Sequence, residues 1–223
     1  MSKFGIVFLL VLLAAAGLAV FPRPPIERIR QLSPGVVANE RLTAVTGLFL
    51  YVLVTAIAVT ILFIQRLLSV HYAVGLLLIP PVVLKLGSTG YRFARYHTRN
   101  RDYVLAGPPR IVLRLLVAPA LVASTLAVFV TGLELWIFGL RFGSAWVTLH
   151  TLSSVVFIVS LAAHLVGHLQ RSGEAALQEV EIRSSQPAFT RRSLMAATLL
   201  MGAILAITSL LYSSPFPVSA AGG

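Results

Sequence analysis

Apolar residues in this chain gather into long charge-poor windows divided by short basic stretches. The windows run from Phe4 to Val20, Leu42 to Gln65, Leu67 to Leu84, Leu115 to Leu140, Phe142 to Gln170 and Ser193 to Tyr212. A helix that crosses a bilayer takes roughly 17–25 such residues, so the pattern predicts an all-α integral membrane protein with six transmembrane helices. The third window is the weakest. It holds His71 and the pair Pro80 and Pro81, which lack backbone donors and are expected to kink or end a helix. The first window, with Lys3 ahead of an apolar run and alanines behind it, also resembles a secretory signal; an uncleaved helix is the favoured reading.

Composition agrees with this picture. Of 223 residues, 57% are hydrophobic and 11% charged, and the mean hydropathy is +0.90. A soluble domain carries about 25% charged residues. The net charge of +11 would suggest nucleic acid in a soluble protein, but here the positive-inside rule is the simpler cause, and no nucleic acid partner is expected. One side of the predicted topology holds Arg23, Arg28, Arg30, Arg41, Lys85, Arg92, Arg95, Arg99, Arg101, Arg110, Arg114, Arg171, Arg183, Arg191 and Arg192, whereas the other keeps Lys3, Arg66 and Arg141. The long loops are therefore expected in the cytoplasm, with both termini and the tight turns near residues 66–70 and 141–146 outside. Lys3 alone argues for the opposite orientation of the first helix. The expected location is the cell inner membrane, multi-pass.

No cysteine is present, so disulfides, cysteine-ligated iron–sulfur clusters and thioether-attached haem are excluded. Five histidines remain, and an ionisable side chain within a membrane span is a functional candidate by default. His150 and His164 are 14 residues apart, which on a helix puts them about 40° apart in direction and about 21 Å apart along the axis; His168, at 18 residues, is five whole turns on. One stripe thus carries three imidazoles. A b-type haem takes two axial imidazoles from opposite sides, so each haem needs a second histidine at matching depth on another helix. His71 begins the third window just after one outer turn, and His150 begins the fifth just after another. Gly75, one turn from His71, leaves room for a flat macrocycle. The leading inference is a haem held by His71 and His150.

An inner site is open to three readings. Fourteen residues beyond His71 stands Lys85, and His97 would lie about 39 Å along a continuous helix, beyond a hydrocarbon core of about 30 Å. Either His164 or His168 joins His97 on an inner haem after the chain folds back past Pro80, Pro81, Gly87 and Gly90, or an unusual ligand such as neutral Lys85 replaces it, or there is no inner haem. For each isolated histidine the plainer alternative is an interhelical hydrogen bond, and for His97 a solvated loop residue.

Haem propionates pair with arginine or lysine near a membrane surface. Arg141 or Arg66 suits an outer haem, and Lys85, Arg92, Arg95 or Arg114 an inner one, although topology alone accounts for each singly. Glu134, the one acidic residue within a window, either exchanges protons with a quinol, pairs with Arg141, or is a snorkelled carboxylate. Trp136, Trp146, Tyr72, Tyr91 and Tyr96 fit interfacial belts. The tail after Tyr212 reads as an irregular end.

The stretch HYAVGLLLIPPVVLKLGSTGYRFARYHTRNRDY from His71 to Tyr103, GPPR at Gly107 to Arg110, and LHTLSSVVFIVSLAAHLVGH ending at His168 resemble bacterial membrane cytochromes of the b and b561-like kind. The likeness covers roughly residues 38–170. It implies a central four-helix bundle over residues 42–170, preceded by an N-terminal helix and cytoplasmic linker in 1–41 and followed by a cytoplasmic loop and C-terminal helix in 171–223. It also implies that His71, His150 and His164 are ligand positions and that electrons pass between the quinone pool and a redox partner. A fourth core histidine, which a two-haem member of that family would carry, is missing.

The expected function is an electron-transfer subunit with one haem b, or two, and quinone as lipid-phase donor or acceptor. Its partners would be membrane lipid and a periplasmic oxidoreductase or other subunits of a respiratory or photosynthetic complex. The rivals are a haem-free structural or assembly subunit, a chlorophyll-ligating one, and a small transporter using His71, Lys85, Glu134 and His150 as a proton path.

Overall fold

The computed structural model describes residues 3–20, 33–106, 113–181 and 186–217, without the side chains of 16–20, 106, 113–114, 167–181 and 186–188. Within them the chain forms helices α1 (Lys3–Val20), α2 (Pro34–Leu62), α3 (Ile64–His97), a short α4 (Arg101–Ala106), a π-helical turn (Leu113–Val117) running into α5 (Ala118–Phe138), then α6 (Ala145–Glu181) and α7 (Gln186–Leu211), and no strand. Helices are the expected answer to lipid, because each satisfies its backbone donors and acceptors internally where no water can do so.

Five of these helices, α2, α3, α5, α6 and α7, are long and apolar enough to cross a membrane. The chain is thus built as a multi-pass membrane protein. Large apolar side chains such as Val52, Val83, Val159 and Leu200 stand exposed on their outer faces, where lipid replaces water. Helix α1 is equally apolar, but its described side chains, Lys3–Ala15, make a stretch shorter than a crossing.

The third window behaves differently from expectation. Pro80 and Pro81 do not end the helix: α3 continues through both, and the residue with non-helical backbone angles is Leu67, near its start. Packing explains the tolerance. Both prolines are buried, and Pro81 leaves the Leu77 carbonyl four residues earlier without its helical donor. Helix α7 lies along α3 and presents Gly202 there, so close that a Cβ on residue 202 would stand 2.6 Å from the Leu77 oxygen. A neighbouring helix shields the break that lipid could not.

The helices form a ring in which α2 packs on α3 and on α6, α6 packs on α5, and α3 and α5 barely touch. Helix α1 fills the outer groove between α2 and α6. Its Phe8, Leu12 and Ala15 meet Val54, Ala58, Ile158 and Leu165 in the main apolar core. Its Gly5 lies against the backbone of Ile61 and Leu62, a contact that admits no side chain. Two ends can be distinguished. The turn end carries the α2–α3 junction at Phe63 and the α5–α6 loop; the basic end carries the Arg92–Glu40 ion pair at 3.4 Å and a polar clasp in which Asn39 donates to the Ser88 carbonyl at 3.2 Å and Thr43 bonds Ser88 at 3.0 Å.

The segment after α7 is more than an irregular end. Tyr212 Oη donates to the Ile137 carbonyl and Ser214 Oγ to the Trp136 carbonyl, at 3.0 and 2.8 Å. Phe216 is buried with Leu68 and Leu135, and Gly139, at φ +62°, has no room for a side chain against Pro215. The tail is thereby laid across the turn end.

Candidate cofactor site

Helices α2, α3, α5 and α6, with α1 contributing Phe4 and Phe8, enclose a mostly apolar cavity of about 470 Å³. His71 and Gly75 on α3, and His150 and His164 on α6, all line it, as does Lys85. Since α2 and α5 stand between α3 and α6, the histidines of those two helices come from opposite walls. His71 and His150 lie at the turn end, near the starts of α3 and α6.

Each of these two imidazoles is fixed in the same way. The Thr60 hydroxyl donates to the Ile57 carbonyl at 2.7 Å, which leaves its lone pairs to accept from His71 Nδ1–H at 2.9 Å. On the other wall the Thr131 hydroxyl donates to the Ala127 carbonyl at 2.7 Å and accepts from His150 Nδ1–H at 2.9 Å. In both cases the hydroxyl lies in reach of a carbonyl of its own helix, which leaves the oxygen to accept from the imidazole. A neutral ring that donates through Nδ1 keeps its Nε2 lone pair for a ligand, the orientation a metal-binding histidine receives from its outer partners.

Two glycines give these rings and their surroundings space. A Cβ at Gly132 would sit 3.1 Å from His150 Cε1, while a Cβ at Gly75 would meet nothing within 4 Å and project into open space. Tyr72, Trp136 and Phe216 close this end of the cavity. The sequence placed Tyr72 and Trp136 in an interfacial belt; here they are also cavity walls.

The residues expected to serve a haem separate into two groups. His71, Gly75, Lys85, His150 and His164 are brought together along one cavity. Arg92, Arg95 and Arg141 are not: Arg92 pairs with Glu40, the Arg95 guanidinium lies 5.9 Å from the Tyr91 ring, and that of Arg141 lies 5.7 Å from Phe142. The side chains of Arg114 and His168 lie outside the described residues, as does the GPPR stretch. The chain does not fold back after Pro80 and Pro81, so His97 ends the long α3, exposed, donating to the Phe93 carbonyl at 2.9 Å and stacked on the Phe93 ring. Glu134 is away from the cavity. Its carboxylate oxygens have no hydrogen-bond partner among the described residues, Arg141 included.

No group of three or more His, Asp or Glu side chains suited to a bare metal ion occurs among the described residues. A porphyrin does not ask for one: it supplies four nitrogens itself and needs from the protein two axial donors, a flat apolar slot and exclusion of water. His71 and His150, which line one apolar cavity beside the open space at Gly75, are the side chains that would hold it.

Thr60 and Thr131 escaped the sequence reading. Thr60 lies 11 residues from His71 and Thr131 lies 19 from His150, across a turn in each case, and only the antiparallel register of each helix pair brings them level. Compared with family models, curated proteins and solved structures, the chain matches none of them.

Proposed function

We propose that the chain is a b-type cytochrome subunit of a bacterial inner membrane, resembling the b561-like cytochromes, that carries electrons between the quinone pool and a redox partner or larger complex. The observation that supports it is the pair His71 and His150, on opposite walls of an apolar cavity, each with Nδ1 committed to a threonine and Nε2 left as the donor atom.

Haem bound there would supply one-electron redox chemistry. The protein's part is to hold and insulate. Thr60 and Thr131 would hold the imidazoles of His71 and His150 in one orientation toward it. Phe4, Phe8, Val54 and Phe129 keep water from the cavity, and the tail from Tyr212 to Phe216 covers the end where the histidines lie. In this reading α1 acts as a sixth span, the turn end faces outward under the positive-inside rule, and a periplasmic oxidoreductase meets it there.

An optical spectrum of the purified chain tests the proposal. The reduced protein is expected to show the sharp visible band of bis-histidine haem, with pyridine-haem quantification giving about one haem per chain. His71→Ala and His150→Ala should each abolish the band, and His97→Ala should leave it intact. A wild-type chain without the band, or a band that survives in both the His71 and His150 variants, overturns the assignment.

A further inference from the structure

At the basic end the chain doubles back outside the cavity. Helix α3 closes at Thr98, and Arg99 beyond it is the one non-glycine residue with a positive φ, +56°, among the described residues. There the Arg99 N–H donates to the Tyr96 carbonyl at 3.1 Å and the Asn100 N–H to the Arg95 carbonyl at 3.0 Å. Glycine is the usual residue in this left-handed position, and a long side chain in its place is strained. The short α4 then turns back along α3 until Tyr103 meets Tyr91 edge-on, with ring centroids 5.9 Å apart. The reversal opens a groove of about 560 Å³ lined by Tyr96, His97, Arg99, Arg101, Val104 and Leu105.

The groove is graded from charge to hydrocarbon. Tyr91 precedes His97 by six residues, about 9 Å along the helix axis, so a chain that has returned to the level of Tyr91 carries Val104 and Leu105 back toward the bilayer while Arg99 and Arg101 stay at the elbow. Val104 and Leu105 are 43% and 45% exposed, which leaves apolar surface for a ligand to cover. Neither guanidinium has a carboxylate partner among the described residues: the ion pair of this end belongs to Arg92 and Glu40, and Asp102, the one acid of residues 91–106, does not line the groove. Topology asks for positive charge anywhere on this face, but not at a position where arginine strains the backbone. Two guanidiniums at the outer end suit a phosphate, and the apolar end suits something attached to it.

We propose that the α3–α4 elbow binds one anionic phospholipid of the adjacent leaflet, its phosphate held by Arg99 and Arg101 and an acyl chain laid along Val104 and Leu105. The haem reading plays no part in this site.

Native mass spectrometry of the full chain in detergent, with phosphatidylglycerol and phosphatidylcholine added in equal amounts, tests the proposal. One phosphatidylglycerol per chain is expected to stay bound under activation that strips phosphatidylcholine. An arginine beside an anionic headgroup is worth roughly a fivefold change in affinity, so Arg99→Gly and Arg101→Gln should each weaken retention by about that factor and the double variant by about twentyfold. Arg99→Gly should at the same time raise the unfolding temperature, because glycine relieves the left-handed backbone, so its loss of lipid cannot be put down to a damaged fold. Val104→Asp should weaken retention from the apolar end. Arg141→Gln, at the turn end, and His71→Ala, without haem, should both keep the lipid. The site is overturned if phosphatidylcholine is retained as well as phosphatidylglycerol, or if the double variant keeps the lipid as wild type does. It is equally overturned if inorganic phosphate at the same concentration displaces the lipid, which would make the groove a site for free phosphate.

Discussion

Two threonines decide what two histidines can do. Without the Thr60 and Thr131 hydroxyls, either ring nitrogen of His71 and His150 could carry the proton, and the ring could turn about its side chain. Thr60→Val and Thr131→Val keep the shape and remove the acceptor, so each is expected to lower haem affinity by about 10–100-fold, the usual cost of losing an outer partner, measured as haem retained after dilution in detergent. Retention equal to wild type in both would show that the threonines do not set the ligand. Gly75 offers a complementary test, because a side chain there meets only space. Gly75→Leu should exclude the cofactor yet leave thermal unfolding within about 1 kcal/mol of wild type, since it displaces no packed neighbour. The histidines and Gly75 were legible from type and spacing. The threonines were not, because a hydroxyl in an apolar helix usually bonds back to its own turn, as Thr55 does to the Tyr51 carbonyl, and nothing local marks the two that also reach across.

At the scale of elements, hydropathy predicted where helices lie but misjudged where one of them stops. A proline pair ordinarily breaks a helix, and α3 nevertheless runs from Ile64 to His97 because α7 covers the exposed carbonyl at Leu77. The cover depends on Gly202. Gly202→Val would press a branched side chain into that carbonyl and is expected to destabilise the protein by about 1–3 kcal/mol, read as a lower unfolding temperature in detergent, whereas Gly87→Ala on α3, facing open space, should not. An unchanged unfolding temperature for Gly202→Val would mean that α7 does not support the break. Continuity of α3 also settles the place of His97: about 39 Å beyond His71 on an unbroken rod, it belongs to the basic end and not to the cavity.

At the scale of the molecule, alternate crossings set the two ends apart. The α2–α3 and α5–α6 turns and the tail from Tyr212 to Phe216 share one end, and the Arg92–Glu40 pair marks the other. A chain with no cysteine allows this to be read directly. In intact cells, Ser144→Cys should react with a membrane-impermeant maleimide and Thr98→Cys should not; the reverse pattern would invert the orientation. The tail carries a further expectation. Because Phe216 is buried with Leu68 and Leu135 beside the turn-end wall of the cavity, Phe216→Ala should open that end, speed haem loss several-fold and cost about 3–5 kcal/mol of stability at most.

By itself the sequence determined that this chain lies in lipid, where its helices run and which end is basic, since those follow from apolar run length and from counting charge, and neither needs to know what packs on what. It also supplied the histidine spacing, because helical geometry alone converts 14 residues into one face and a depth. Only the tertiary structure decided which histidines share a cavity, which threonines orient them, that α3 survives two prolines and that the tail closes one end. Each of those is a contact between segments far apart in the chain, decided by the register and order of the packed helices, which no local pattern encodes.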